Sequence, residues 1–178
     1  MSDLSHAQIF DLLNRPGPLW LTGIDFSGVN LNGANLNQAR LAEANLQGVQ
    51  LRRSDLGSAD LSRADLREAD LQGAFLNQAN LDHAQLGGAK LASARLLKAY
   101  LAGANLCHSD LSQAWLTQAC LAKAQLAEAN LEGADLTEAN LAGANLRQAN
   151  LRGANLAGVD LSQTELSLAT MPDGTVHA

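Results

Sequence analysis

Leucine occupies every fifth position of this chain from Leu21 to Leu166, a frame of 30 positions in which the one exception is Phe26. Met171 carries the frame one step further. Two positions before each frame residue stands a small one: of the 30 such positions from Ile24 to Ala169, 23 are Ala. A five-residue step rotates an α-helix by about 140°, which would scatter these leucines around its circumference. On a straight strand the same odd step flips the face each time and leaves alternate leucines in water. The pattern therefore predicts a chain that turns once in every five residues, always in the same sense, with Leu and Ala pointing inward together. Four turns of roughly 90° close a square, so one coil takes about 20 residues, and stacked coils lie about 4.8 Å apart. The frame then makes about 7.5 coils and a rod roughly 35 Å long.

The pattern divides the chain into three parts. Residues 1–18 precede the frame; within 3–14, Leu4, Ile9, Leu12 and Leu13 fall at near-helical spacing. Ser5 with Gln8 three residues later has the form of a capping box, with Asp3 as an alternative start. Arg15-Pro16-Gly17-Pro18 then ends the helix, because proline cannot continue its hydrogen-bond ladder. A solenoid has an open apolar end, and this amphipathic helix is expected to cover it. The body is 19–171. The tail, 172–178, carries a Pro172-Asp173-Gly174 turn signal and is expected to be short and partly mobile.

Ala-Asn-Leu-Gln-Gly (44–48), Ala-Asp-Leu-Arg-Glu (64–68) and Ala-Asn-Leu-Glu-Gly (129–133) resemble the A(D/N)LxX unit of pentapeptide repeat proteins. The resemblance covers residues 19–171 without a slip of register. It implies an all-β fold, a right-handed quadrilateral β-helix. The ending Thr170-Met171-Pro172-Asp173-Gly174-Thr175 also looks like the tail of cyanobacterial members.

Composition agrees with one domain. Its 178 residues are only 3% aromatic, poor for a globular core, yet stacked Leu columns fill a narrow solenoid without large rings. No signal-like segment stands at the start and no apolar run approaches 18 residues, so the chain is expected to be cytoplasmic and to engage no membrane. Cys107 and Cys120 are too few for a disulfide framework.

Inward substitutions read as packing. Ser54, Ser109 and Thr164 replace Ala where a buried hydroxyl needs a nearby carbonyl. Ile24, Val29, Val49 and Val159 are larger occupants of the same column. Asn and Asp dominate the position before Leu, where a short polar side chain can bond turn backbone. Function is therefore expected on outward positions, which repeat every 20 residues on one face. One face runs Asn35, Asp55, Phe75, Arg95, Trp115, Asp135, Asn155, and its neighbour runs Asp60, Asn80, Tyr100, Cys120, Asn140. Phe75, Arg95, Leu97, Lys98, Tyr100, Trp115 and Cys120 thus converge on the middle coils. Aromatic rings one coil from an Arg can stack on it, and Trp, Tyr and Arg are favoured at binding hot spots. These seven form the candidate surface for an unidentified protein partner.

Charge offers an alternative. Relatives within the resembled family are known as DNA mimics that inhibit DNA gyrase, which requires negative charge at phosphate-like spacing. The net charge is −6, concentrated in the second half, where Glu128, Glu132, Asp135 and Glu138 form a candidate acidic patch. No acidic column persists along a face: Asp70, Lys90, Asp110, Asn130 is typical. Direct nucleic-acid binding, which wants a basic stripe, is not expected. His6, His83, His108 and His177 are dispersed, no metal-ligand spacing occurs and no phosphate loop appears. No catalytic, cofactor-binding or metal-binding residue is expected, and the chain reads as no enzyme. Its exposed carboxy-terminal coil leaves room for a homodimer.

Overall fold

The computed structural model describes residues 6–13 and 17–178. The expected helix start at Asp3 or Ser5 and the Arg15-Pro16 stop lie outside the described residues. Helix α1 (His6–Leu13) is followed by coils in which parallel bridges join residues 20 apart, as Asn35 to Asp55 to Phe75. The bridges form four columns and hence four faces. Face one runs from Asn35 to Asn155, face two from Trp20 to Asn140, face three from Asp25 to Glu165, and face four from Asn30 to Thr170. The architecture is the expected quadrilateral, with one difference. Because the chain turns within every repeat, each face contributes a single bridged residue per coil, so the sheet is a ladder one residue wide rather than a set of strands.

The repeat Ala79-Asn80-Leu81-Asp82-His83 shows how the backbone is satisfied. The Asn80 amide donates to Ala59 of the preceding coil at 2.9 Å, and the amides of Leu81 and His83 donate to Tyr100 and Ala102 of the next at 2.7 and 2.9 Å. Ala79 closes the corner by donating to the Leu76 carbonyl at 3.0 Å. The amide of Asp82 has no backbone acceptor and donates to Asn80 Oδ1 at 3.1 Å. Every Asn and Asp before a frame residue, from Asp25 to Asp160, accepts the amide two residues on in this way. Their prevalence follows from that fifth donor, which the coil cannot otherwise satisfy.

Inside, the Leu frame and the Ala column pack against one another and are almost wholly buried from Leu36 to Leu151, with Phe26 enclosed near the start. The hydroxyls of Ser54 and Ser109 donate to the carbonyls of Leu51 and Leu106, each at 2.7 Å, as a buried hydroxyl requires. Ile9 of α1 joins the same core and Leu12 packs against it.

The last coil departs from the pattern. Val159 and Thr164 stand in the small column, and the face-two ladder stops at Asn140, with Asp160 unbridged. The Gly143 amide reaches Gln163, and the Thr164 hydroxyl donates to Leu141 at 3.1 Å. Leu156 and Leu161 are only half-buried. Beyond them the tail turns at Pro172-Asp173-Gly174, where Asp173 accepts from the Thr175 amide, and returns as an antiparallel pairing of Val176 with Thr170. The turn expected there forms, and the tail is paired to the final repeat.

From Gly23 to Gly158 each corner places one residue in the left-handed region, as Gly143 at φ 69° and Lys123, in the same corner one coil earlier, at φ 59°; Gln163 in the irregular last coil does not follow. A side chain there costs about 1 kcal/mol, offset in part by the entropy a glycine adds to the unfolded chain. Lys123→Gly is expected to raise stability by about 0.5 kcal/mol and Lys123→Val to lower it by about 1 kcal/mol or more. Urea unfolding with an unchanged slope checks both; a stabilising valine would overturn this account of the corner.

Candidate functional site

The corner between faces one and two collects the exposed apolar side chains of the middle coils. Phe75, Arg95 and Trp115 follow one another up face one, joined by backbone bridges. The Arg95 guanidinium lies between the two rings, 5.0 Å from the Phe75 centroid and 5.1 Å from that of Trp115. In water each such contact contributes about 0.5–1 kcal/mol. Leu97 and Lys98 form the corner itself, and Tyr100 begins face two, bridged to Cys120. Phe75, Leu97, Tyr100 and Trp115 are 37, 40, 54 and 56% exposed, which places them in solvent rather than in the core. Cys120 is half-buried and carries a free thiol, as does Cys107. All seven residues singled out from the sequence therefore lie on one continuous stretch of surface.

This surface departs from the backbone rule. Where Phe75, Arg95, Tyr100, Trp115 and Cys120 replace Asn or Asp, the amide two residues on loses its local acceptor. Leu97 recovers one from Asn77 Oδ1 at 3.1 Å, and Ala102 from Asp82 Oδ1 at 2.8 Å, both across one coil. The amides of Asn77, Thr117 and Ala122 have no acceptor among the described residues. Gln85 and Gln125, which also replace Asn or Asp, instead continue the side-chain ladder by accepting from Asn105 and Asn145, each at 3.2 Å. Phe75, Arg95, Tyr100, Trp115 and Cys120 give up both functions, as do Trp20 and Arg40 on face two and Lys90 on face four, where the amides of Thr22, Ala42 and Ala92 have no acceptor among the described residues.

Beside Phe75 the surface dips into an open depression of about 620 Å³ lined by Gly33, Asn37, Arg53, Gly57 and Gln78. At its rim Gly57 leaves room for the Asn37 side chain, since a Cβ there would meet Asn37 Nδ2 at 2.7 Å. Above Trp115, face one continues with Asp135, whose carboxylate accepts from the hydroxyls of Thr137 and Thr117. The hydroxyl and amide of Thr137 hold this carboxyl below its ordinary value of 3.8, with burial opposing them and the Thr117 hydroxyl adding to them.

The four acids singled out from the sequence do not converge. Glu128 sits at the corner of faces three and four, and Glu138 half a coil later at the diagonal corner. Each is engaged: Glu128 with His108 Nδ1 at 3.3 Å, Glu132 with Asn150 Nδ2 at 3.2 Å, Glu138 with Gln118 Nε2 at 2.7 Å. Elsewhere acids meet arginines, as Arg52 with Asp70 at 2.7 Å and Arg67 with Asp65 at 2.6 Å. Among the described residues no group of three or more His, Cys, Asp or Glu is placed to hold a metal, and no helix is long and apolar enough to cross a membrane.

One feature escaped the sequence reading. Trp20 is 78% exposed on face two and stacks on Arg40, 5.2 Å from the ring centroid. The signal was present, since both replace Asn or Asp before the frame, but they stand in the first coils, ahead of the face-two column as it was drawn from the sequence.

The family model for pentapeptide repeats matches residues 21–57, 59–96, 84–122, 94–133, 124–163 and 134–171. Among solved structures, Rfr23, a pentapeptide repeat protein from the cyanobacterium Cyanothece 51142, is 41% identical over 53% of this chain and 64% of its own, with a TM-score of 0.49. HetL, a pentapeptide repeat protein involved in heterocyst differentiation regulation from the cyanobacterium Nostoc sp. strain PCC 7120, is 33% identical over 98% of this chain and 100% of its own, with a TM-score of 0.35. QnrB1, a plasmid-mediated fluoroquinolone resistance protein, is 20% identical over 82% of this chain and 86% of its own at a TM-score of 0.51, a likeness of fold. The search of curated proteins returned no match.

Because Asp135 is lowered on folding, its contribution to stability is present above the unfolded value and is lost as pH falls through the range below it. Thr137→Val is expected to move the Asp135 titration up toward 3.8 and to reduce stability at neutral pH more than at pH about 2. Side-chain carboxyl NMR across that range checks it; an unmoved titration would remove the hydroxyl from the account.

Proposed function

The chain belongs to the pentapeptide repeat family, whose members fold as right-handed quadrilateral β-helices, and we propose that it acts as a rigid, non-catalytic module that binds a partner protein through the corner of faces one and two. The observation that carries this reading is the convergence of Phe75, Arg95, Leu97, Tyr100 and Trp115 in solvent, at a place where the coil gives up its usual backbone acceptors. A solenoid that needed only to stand would keep Asn or Asp there. The surface is rigid because every coil is tied to its neighbours by backbone bonds, so little ordering entropy opposes binding. In the same reading the body comprises about 7.5 coils and α1 plugs the amino-terminal end through Ile9 and Leu12. The alternative, an acidic DNA mimic acting on gyrase or another topoisomerase, draws no support from carboxylates that are dispersed and engaged.

The opposite end suggests self-association as a second, separate contact. The amides of Leu156, Gly158, Leu161, Gln163 and Leu166 have no acceptor among the described residues, and Leu156, Leu161 and Met171 are half-exposed beside them. Such an edge is suited to a second copy of the chain.

Arg95→Ala with Trp115→Ala is expected to abolish capture of a specific partner, with the circular dichroism spectrum and unfolding midpoint retained. Unchanged capture by the folded variant would remove this corner as the binding surface. For the edge, sedimentation is expected to give a dimer that Leu161→Glu converts to a monomer; a monomeric wild type at high concentration would end that reading.

A further inference from the structure

The binding corner carries unpaired cations, and this points to the chemistry of its occupant. Among the described residues the side chains of Arg95, Arg53 and Lys98 make no hydrogen bond or ion pair, although the chain as a whole is acidic. The Arg95 guanidinium has a ring on either side, Phe75 and Trp115, and its N–H groups have no acceptor among the described residues. Such a guanidinium suits a carboxylate, which can accept two parallel N–H bonds. The amides of Asn77 and Thr117 add unpaired donors one coil to either side of Leu97. The two flanking carboxylates are held by neutral donors: Asp55, which lines the depression, accepts from Asn37 and from the Gly57 amide, and Asp135 from Thr117 and Thr137.

Shape agrees with charge. From Arg53 to Trp115 the surface climbs three coils, about 14 Å at the spacing of paired backbones, which an extended peptide spans in about 4–5 residues. At its lower end the depression beside Phe75 has room for one apolar side chain. We propose that this surface receives an extended acidic segment of the partner, in which an apolar side chain enters the depression and a carboxylate caps the edge of Arg95. The proposal rests on the interaction reading above and names its partner's chemistry. A phosphate backbone is the weaker occupant, because three cations do not make the long basic stripe that a polyanion needs.

The test is a random decapeptide library displayed on phage and selected on the immobilised full chain, beside Trp115→Ala and Arg95→Gln/Lys98→Gln variants of unchanged circular dichroism. The expected result is enrichment of sequences rich in Asp and Glu around one aromatic or aliphatic residue. The enriched peptide, made synthetically, should bind the Arg95→Gln/Lys98→Gln variant about tenfold or more weakly. Enrichment of neutral or basic sequences that still require Trp115 would overturn the acidic preference and leave the surface standing. No enrichment that depends on Trp115 would overturn both. A ten-nucleotide oligothymidylate that binds more tightly than the peptide, and is lost with Trp115→Ala, would also overturn the proposal in favour of nucleic acid.

Discussion

Everything in this structure depends on where five backbone amides go in each repeat. Three donate to neighbouring coils, one closes the corner, and the fifth is left to a side chain, as the repeat around Asn80 shows. Buried or crowded amides must be paired, so a chain that turns this often survives only if each coil rests on another and each corner supplies its own acceptor. The inter-coil bonds dictate the 20-residue register, and the local acceptor dictates Asn or Asp before the frame. The fold is thus a backbone device first, and its Leu and Ala columns fill what the backbone encloses.

That economy has a consequence for function. The interior is too narrow for anything but its own side chains, with even the hydroxyls of Ser54 and Ser109 turned to carbonyls of their own corners. Chemistry is left to the outward positions, and most of those are occupied by backbone support. A departure from Asn or Asp is consequently informative in proportion to what it gives up. Gln85 and Gln125 give up little, because their amides extend the side-chain ladder. Phe75, Arg95 and Trp115 give up the acceptor and replace it with a stack of two rings around a guanidinium. The same trade, in smaller form, is made by Trp20 and Arg40.

The two ends obey the constraint differently. At the amino end Ile9 and Leu12 of α1 lie against the core. At the carboxy end Val159 and Thr164 stand in the small column, the face-two ladder breaks after Asn140, and the tail pairs back through Val176. Val49 fills the same column wholly buried with its ladder intact, so size alone does not break a coil.

The frame from Leu21 to Leu166 by itself determined the square coil, the four outward columns and the stacking of Phe75 on Arg95 on Trp115. A strict period leaves one register, and one register assigns every side chain a face. What the period does not carry, only the tertiary structure decided. Donors that lose a local acceptor are rescued across coils by Asn77 and Asp82, a matter of side-chain reach rather than of spacing. The close fit of Asn37 against Gly57 at the rim of the depression, and the break of the face-two ladder after Asn140, likewise appear only in the folded coil. Glu128, Glu132, Asp135 and Glu138 look like a cluster along the chain, yet half a coil separates the first from the last. Closeness in sequence there means opposite corners of the square, because the chain turns by a quarter at every fifth residue.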